Sequence, residues 1–318
     1  MVKSARKFLL CLPFLFTVAD ACAQTRRKPQ PAAPVTRVET PAKSNLPPRA
    51  TFHLLEEGEL PLKARGAIVI DALSGAALYE KNCDLPLFPA STTKIMTALL
   101  VIEAGDLDAM VEADADDSKV GESGVGLKPG DRYSRREMLF ALMLKSANDV
   151  AHCLGRDNAG TMPAFAEKMT QRARELGATN TSFRNPHGLH HIEHYTSPRD
   201  LALIARAAMQ QPFFRQLVST QSHRWQSPVN PWDMSNHNRM LREFPGCTGV
   251  KTGFTNPAQH TLVTAALRDN REVIAVVMFD GRSEKWEDSK LLLTYGFENP
   301  PGSPGAGRSF SEQAAAAR

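Results

Sequence analysis

Ser91 and Lys94 are the two residues whose types and spacing most directly suggest covalent chemistry. They lie three positions apart, just before the apolar run 95–102, so on a helix their side chains share one face. A serine hydroxyl is a poor nucleophile until a base takes its proton, and a lysine can be that base when burial and nearby cations lower its pKa. The S-x-x-K spacing alone is weak, because residues 4–7 also match it, and Ser91 could instead be a helix N-cap.

Two later elements make the signal specific. Ser146 and Asn148 form an S-x-N triplet between predicted helices, and residues 251–253 form a K-T-G triplet on a predicted strand. In the second triplet, Gly253 would let the strand backbone approach a ligand without a Cβ in the way, although a β-bulge is the alternative. The three motifs in this order form a specific combination.

The ordered motifs resemble those of the penicillin-recognising serine transferases. Gly75 and the segments 89–94, 185–189 and 249–255 extend the likeness to the low-molecular-mass D-alanyl-D-alanine carboxypeptidase family, over roughly residues 64–297. The resemblance implies an α+β, β-lactamase/transpeptidase-like fold. In such a fold an antiparallel sheet is flanked by helices, and the active site lies between the sheet and an all-helical subdomain.

The resemblance also implies a role for each matching residue. Ser146 would relay protons between Lys94 and the leaving amine, and Asn148 would hold the amide carbonyl of the substrate. The terminal carboxylate would bind Lys251 and Thr252, beside Gly253. The backbone N–H groups of Ser91 and Phe254 would form the oxyanion hole, a large source of catalysis in acyl transfer.

The expected substrates are peptidoglycan stem peptides ending in D-Ala-D-Ala. Ser91 would attack the carbonyl between the two D-alanines, the last D-Ala would leave, and water would hydrolyse the acyl-enzyme. β-Lactams would acylate the same serine, and the reaction needs no metal or organic cofactor. A D,D-endopeptidase that cuts peptide crosslinks is the close alternative, because only the leaving group differs. A penicillin-binding sensor that does not hydrolyse its acyl-enzyme, and more distantly a serine β-lactamase, also stay open.

The histidines offer a competing chemistry. His187 could join Asp149 or Asp200 in a Ser-His-Asp arrangement, and it could join His190, His191 and His194 in a metal site. We favour a structural role in the loop, because Lys94 already supplies a base and the histidine spacing matches no helical or finger site. No metal site is therefore predicted.

Two positions depart from the family pattern. Ala258 and Gln259 stand where the family usually has an Ala-Gly pair after the K-T-G strand. The family also tends to carry a carboxylate-binding arginine shortly before its last helix, and here Arg282 and Lys285 compete for that position.

The elements that must position these residues are strands around a helical middle. Alternating and β-branched runs predict a hairpin and three further strands: residues 67–71, 76–80, 249–255, 260–267 and 272–279. Apolar positions at helical spacing predict four helices: residues 91–104, 135–145, 162–176 and 197–209. The first is apolar nearly all round, which predicts a helix through the core. Ser197 is the predicted N-cap of the last.

The ends of the chain read as targeting and linker segments. Residues 1–23 have a basic start, a short apolar run and an Ala-Cys-Ala stretch, which is typical of a secretory signal peptide, although Cys22 keeps lipidation open. A basic, proline-rich stretch predicts a disordered linker over 24–51, with a peripheral membrane or wall contact open. The catalytic domain is expected over 52–298 and a disordered tail over 299–318. Export to the periplasm or another extracytoplasmic site is expected, and with it no nucleic-acid partner.

Overall fold

A computed structural model describes residues 57–227 and 231–310. The predicted signal peptide and linker, residues 1–51, lie outside the described residues, as do 52–56, where the catalytic domain was expected to begin. None of the helices in the described part of the chain is long and apolar enough to cross a membrane.

In the part of the chain that the structure describes, ten strands build one large sheet and two small ones. They are β1 Gly66–Asp71, β2 Ala77–Lys81, β3 Met110–Glu112, β4 Arg132–Ser134, β5 Ser222–Trp225, β6 Trp232–Ser235, β7 Cys247–Thr255, β8 Gln259–Arg268, β9 Arg271–Asp280 and β10 Arg308–Phe310. The large sheet has the order β10-β2-β1-β9-β8-β7, and β3-β4 and β5-β6 form separate pairs. Every neighbour in the large sheet is antiparallel except β10 on β2. The hairpin and the three later strands predicted from the sequence are confirmed.

Within the described residues, eight helices complete the fold: α1 Lys94–Glu103, α2 Arg135–Phe140, α3 Asn148–Ala159, α4 Met162–Glu175, α5 Pro198–Met209, α6 Pro212–Ser219, α7 Met240–Glu243 and α8 Glu284–Glu298. The expected α+β arrangement is confirmed. A 3-10 turn, Ala90–Thr93, precedes α1, and a π-helical turn, Ala141–Lys145, follows α2. The helix predicted over 135–145 therefore changes its winding after Phe140.

The large sheet is buried on both faces, which explains its continuous apolar strands. Along β1, Ile68 and Ile70 face the cluster formed with helices such as α1 and α5, whereas Val69 faces the cluster that includes Leu292 of α8. This alternation follows from the two-residue period of a strand. Because both faces are covered, β8 and β9 read as nearly unbroken apolar runs.

Helix α1 runs through the core, as its sequence predicted. Residues from Lys94 to Val101 are all buried, so the start of the helix is held on every side. Helix α5 begins as expected, because the Ser197 side chain accepts a hydrogen bond from the Asp200 N–H and Pro198 occupies the first turn.

The expectation of a disordered tail does not hold for residues 308–310. These residues pair in parallel with β2, and the Phe310 ring lies 5.3 Å from the Tyr79 ring. An unpaired strand edge can bind any extended segment through its main chain, so the pairing needs no strand-like sequence pattern. The prolines and glycines of residues 300–307 and the alanine-rich end of the chain had predicted disorder instead.

Candidate active site

The 3-10 turn and the start of α1 bring Ser91 and Lys94 together. Lys94 Nζ lies 3.0 Å from Ser91 Oγ, and it donates to Asn148 Oδ1 and to the His187 carbonyl oxygen, each at 2.7 Å. Ser91 does not cap the helix with its side chain, so the alternative reading as an N-cap is wrong. The Ser91 hydroxyl is left for the lysine.

Lys94 is fully buried, and burial disfavours the charged form of its amine. Burial, followed by the positive charge of Lys251, holds the pKa of Lys94 well below the ordinary lysine value. A neutral amine has two N–H bonds and one lone pair. Asn148 and His187 accept from both N–H groups, so the lone pair is directed at the Ser91 hydroxyl. This geometry suits proton abstraction from the serine.

The π-helical turn after α2 delivers Ser146 in a strained conformation. Ser146 ends the turn with φ of 64°, in the left-handed region that a non-glycine residue rarely adopts. Its Oγ is buried and has no hydrogen-bond partner within residues 57–227 and 231–310. A buried hydroxyl that lacks a partner can serve a ligand, because binding would supply the missing bond.

A loop that sequence reasoning missed is fastened to the S-x-N motif. The Asn148 N–H donates to Ser123 O at 2.6 Å, and Asn148 Nδ2 donates to Gly121 O at 3.0 Å. Asp149 accepts hydrogen bonds from the main-chain N–H groups of three consecutive residues: Val125, Gly126 and Leu127. The glycines at 121, 124 and 126 were the available sequence signal, but nothing local pairs them with residues 148–149.

Strand β7 forms the opposite wall and packs closely on the nucleophile segment. A Cβ added at Gly253 would lie 3.0 Å from Ser91 N and 3.0 Å from Pro89 O. The glycine is therefore needed for close approach, and the bulge alternative is wrong, because the register with β8 is regular at this point. Phe254, the next residue, is 48% exposed.

Lys251 is the second buried lysine of the site. It is 2% exposed, and burial lowers its pKa to about 7. Its Nζ donates to Thr252 O at 2.9 Å. Its positive charge lowers the pKa of Lys94. The positive charge of Lys251 is suited to an anionic ligand group.

The side chains of His187 and His194 are buried and engaged in hydrogen bonds. His187 Nδ1 accepts from the Leu189 N–H, and burial keeps the pKa of His187 well below the ordinary value. His194 accepts from the Arg184 N–H at Nδ1, so Nε2 carries the proton and donates to Thr93 Oγ1. Neither Asp149 nor Asp200 is hydrogen-bonded to His187; both accept from main-chain N–H groups. His187 contributes its carbonyl oxygen to the site, as an acceptor for Lys94. No side-chain pattern in the sequence indicates such a role.

Both departures from the family pattern lie at β8: Gln259 starts the strand, and Lys285 contacts its His260. The Phe254 ring is 4.5 Å from the His260 ring, and His260 Nδ1 is 3.3 Å from Lys285 Nζ. Lys285 is 5% exposed, and burial lowers its pKa to about 8. Of Arg282 and Lys285, Lys285 is therefore the residue whose side chain contacts β8, through His260. Gln259 adopts a left-handed φ of 52° at the turn between β7 and β8, the conformation that a glycine at this position would take without strain.

The sequence matches the D-alanyl-D-alanine carboxypeptidase family over residues 55–281. The chain belongs to this family. It is 35% identical over 247 residues to D-alanyl-D-alanine carboxypeptidase DacF of Bacillus subtilis, covering 75% of this chain and 63% of that protein. It is 34% identical over 259 residues to D-alanyl-D-alanine carboxypeptidase DacB2 of Mycobacterium tuberculosis, covering 78% of this chain and 89% of that protein. The chain thus spans less than two thirds of the Bacillus protein.

A solved D-alanyl-D-alanine carboxypeptidase from Mycobacterium tuberculosis superposes with a TM-score of 0.74 at 33% identity, over 80% of this chain and 99% of that structure. The carboxypeptidase family also has endopeptidase relatives. A D-alanyl-D-alanine endopeptidase of Pseudomonas aeruginosa is 31% identical over 262 residues, which cover 80% of this chain and 83% of that protein. The predicted family and fold are confirmed.

Proposed function

We propose that this protein is a serine-type D-Ala-D-Ala carboxypeptidase that removes the terminal D-alanine from peptidoglycan stem peptides. The observation that carries the proposal is the contact between Ser91 Oγ and a buried Lys94 Nζ at 3.0 Å, in a chain of this family. The pKa of Lys94 is lowered, and its Nζ has two acceptors, the Asn148 side chain and the His187 carbonyl oxygen. Both observations favour a neutral amine that faces the serine.

The first step is acylation. The lone pair of Lys94 takes the Ser91 proton while Oγ bonds to the carbonyl carbon between the two D-alanines. The negative charge that develops on the carbonyl oxygen is stabilised by the N–H groups of Ser91 and Phe254. Asn148 holds the preceding amide carbonyl, and Lys251 and Thr252 bind the terminal carboxylate. As the C–N bond breaks, Ser146 passes the proton from Lys94 to the departing amine.

Deacylation repeats these steps with water. Water adds to the ester carbon, its proton goes to Lys94, and the ester bond breaks to return the proton to Ser91. A β-lactam would acylate the same serine, but its leaving group stays attached, so hydrolysis would be slow. Penicillin is therefore expected to label Ser91 covalently.

The test compares fluorescent penicillin with an acetylated pentapeptide ending in D-Ala-D-Ala. We expect one label on Ser91 by intact mass and release of free D-Ala. Ser91→Ala should abolish both while the circular dichroism spectrum stays unchanged. Release of D-Ala by that variant at the parental rate would overturn the serine mechanism. Ser309→Ala, on the distant strand β10, is the matched control.

An endopeptidase is the second candidate. The Pseudomonas relative favours it, and the exposed ring of Phe254 stands beside the residues proposed to bind the leaving group. A purified crosslinked dimer of stem peptides distinguishes the activities. Cleavage of the dimer without release of terminal D-Ala would support the endopeptidase, whereas label without any cleavage would support a penicillin-binding sensor.

We also propose that the protein acts outside the cytoplasm. The proposal rests on the signal-like residues 1–23 and on the location of the proposed substrate in the cell wall. Residues 24–51 would then be a linker, and the catalytic domain would extend from 52 to about 298. Amino-terminal sequencing of the secreted protein, with cleavage expected after Ala23, tests this.

A further inference from the structure

Glu122 lies at the tip of the loop that is fastened to the S-x-N motif. The residues on either side of it, Gly121 and Ser123, each accept a hydrogen bond from Asn148, at 3.0 and 2.6 Å. Asn148 in turn accepts from Lys94 Nζ. Two hydrogen bonds to one active-site residue therefore fix the position of the Glu122 backbone relative to the site.

The conformation of Glu122 is strained and is held in place by its surroundings. Its φ is 68°, in the left-handed region. Glutamate has no special preference for this region, so such a conformation persists only where neighbouring contacts impose it. Here Ser123 Oγ donates to Lys145 O, and the Asp149 carboxylate accepts from the N–H groups of residues 125–127. The loop is anchored on both sides of its acidic tip.

The charge of Glu122 acts on Lys94, and no ion pair within the described residues neutralises it. Its side chain is exposed, and it forms no ion pair with any side chain of residues 57–227 or 231–310. It nevertheless raises the pKa of Lys94, as does Asp149, whose oxygens are occupied by main-chain N–H groups. Glu122 is thus a carboxylate beside the catalytic motifs with its oxygens open to a ligand.

We propose that Glu122 selects substrates with a cationic side chain on the residue that precedes D-Ala-D-Ala. This inference rests on the proposed function, in which Asn148 holds the amide carbonyl of that residue. The residue would then lie beside Asn148 and the loop tip that Asn148 fixes. An ammonium on its side chain would meet the Glu122 carboxylate, whereas an acylated amine would bring no charge. The structure thus assigns to Glu122 a preference for peptides whose side-chain amine is free.

Two peptides test the assignment: Nα-acetyl-L-Lys-D-Ala-D-Ala and its Nα,Nε-diacetyl analogue. Their kcat/KM values are measured by D-Ala release at pH 7. We expect the protein to prefer the free amine by about threefold, the range of an exposed ion pair, and the preference to shrink at high salt. Glu122→Gln should bring the ratio to about 1, and Glu122→Lys should invert it. Glu298→Gln, at the exposed end of α8, should keep the parental ratio.

A purely electrostatic effect of Glu122 on Lys94 gives a different result. Glu122→Gln would then lower the pKa of Lys94 and change the rates of both peptides equally, leaving their ratio at the parental value. That outcome overturns the assignment. If the protein releases no D-Ala, the proposed function fails, and the same ratio is read from how strongly each peptide slows fluorescent penicillin labelling. An equal effect of the two peptides in that assay would also overturn it.

Discussion

At the scale of single residues, the site depends on two buried lysines with lowered pKa values. Burial lowers both, and the charge of Lys251 acts further on Lys94. A buried lysine gains little by keeping its proton, because the protein solvates the ammonium less well than water does. Lys94 is thereby suited to accept a proton, and Lys251 offers a charge that an anionic group can neutralise.

Lys94→Ala should remove the base and leave the fold intact. We expect the rate of penicillin acylation to fall by about 10²- to 10⁴-fold, the usual contribution of a positioned base. Stopped-flow labelling measures the rate, and circular dichroism checks the fold. A variant that acylates at the parental rate would exclude Lys94 as the base.

Lys251→Met should shift the pH dependence of acylation. Removing the Lys251 charge raises the pKa of Lys94, so the acidic limb of the rate should move to higher pH. The acylation rate with penicillin from pH 5 to 10 measures the shift. An unchanged limb would mean that Lys94 does not titrate in the acylation step.

At the scale of elements, the site is assembled where regular structure is interrupted. The π-helical turn Ala141–Lys145 places Ser146 in its left-handed conformation, and Asp149 at the start of α3 gathers the loop around Gly126. Turns of this kind inside helices often mark functional sites, because the extra residue redirects a side chain. At this interruption, α2, α3 and the loop around Gly126 come together to form one wall of the site.

Asp149→Asn should loosen this wall. An amide cannot accept from the same N–H groups as strongly as a carboxylate, so we expect a loss of about 1–3 kcal/mol in the free energy of unfolding. The lost negative charge should also lower the pKa of Lys94 and move the acidic limb of acylation to lower pH. Urea unfolding and the pH profile measure the two effects. Asp233→Asn, on the exposed strand β6, is the control.

At the scale of the whole molecule, burial shifts the pKa values of acidic and basic groups in opposite directions. Burial raises the pKa of Asp280 to about 7, with the neighbouring charge of Asp288 adding to the shift, and Asp288 is raised as well. Asp288 accepts from the N–H groups of Lys63 and Ala64, which fastens the segment entering β1. Lys251, in contrast, has a lowered pKa.

These groups predict a minimum in stability near pH 7. Between about pH 4 and 7 the folded state holds the Asp280 proton that the unfolded chain has lost, so stability falls as pH rises. Above pH 7 the unfolded chain keeps the Lys251 proton longer, so stability rises toward the ordinary lysine pKa. Asp280→Asn should remove the fall in stability below pH 7, and Lys251→Met should remove the rise above pH 7. Each change is on the order of 2 kcal/mol in the free energy of unfolding. Denaturant unfolding from pH 4 to 10 measures both changes. If the stability of either variant followed pH in parallel with that of the parent protein, the assignment would be contradicted.

The positions of the strands and of α1 and α5 were predictable because local pattern decides them. Three local patterns match the elements in the tertiary structure: the two-residue period of β1, the apolar run after Lys94 and the Ser197-Pro198 start of α5. The strand at Arg308–Phe310 was not predictable in this way. Its pairing depends on the open edge of β2, which lies more than 200 residues earlier in the chain.

The sequence by itself determined the family, the fold class and the residues of the three motifs, because these are read from residue types in order. Only the tertiary structure decided what surrounds them. Lys94 contacts the His187 carbonyl, and Asn148 is hydrogen-bonded to Gly121 and Ser123, so these contacts join segments 25 to 93 residues apart. The burial of Lys251 depends on packing from every side. Main-chain groups are the same at every residue, so no residue type marks which carbonyl or N–H will meet a distant side chain. That choice is made by the packing of the sheet against α1 and α3.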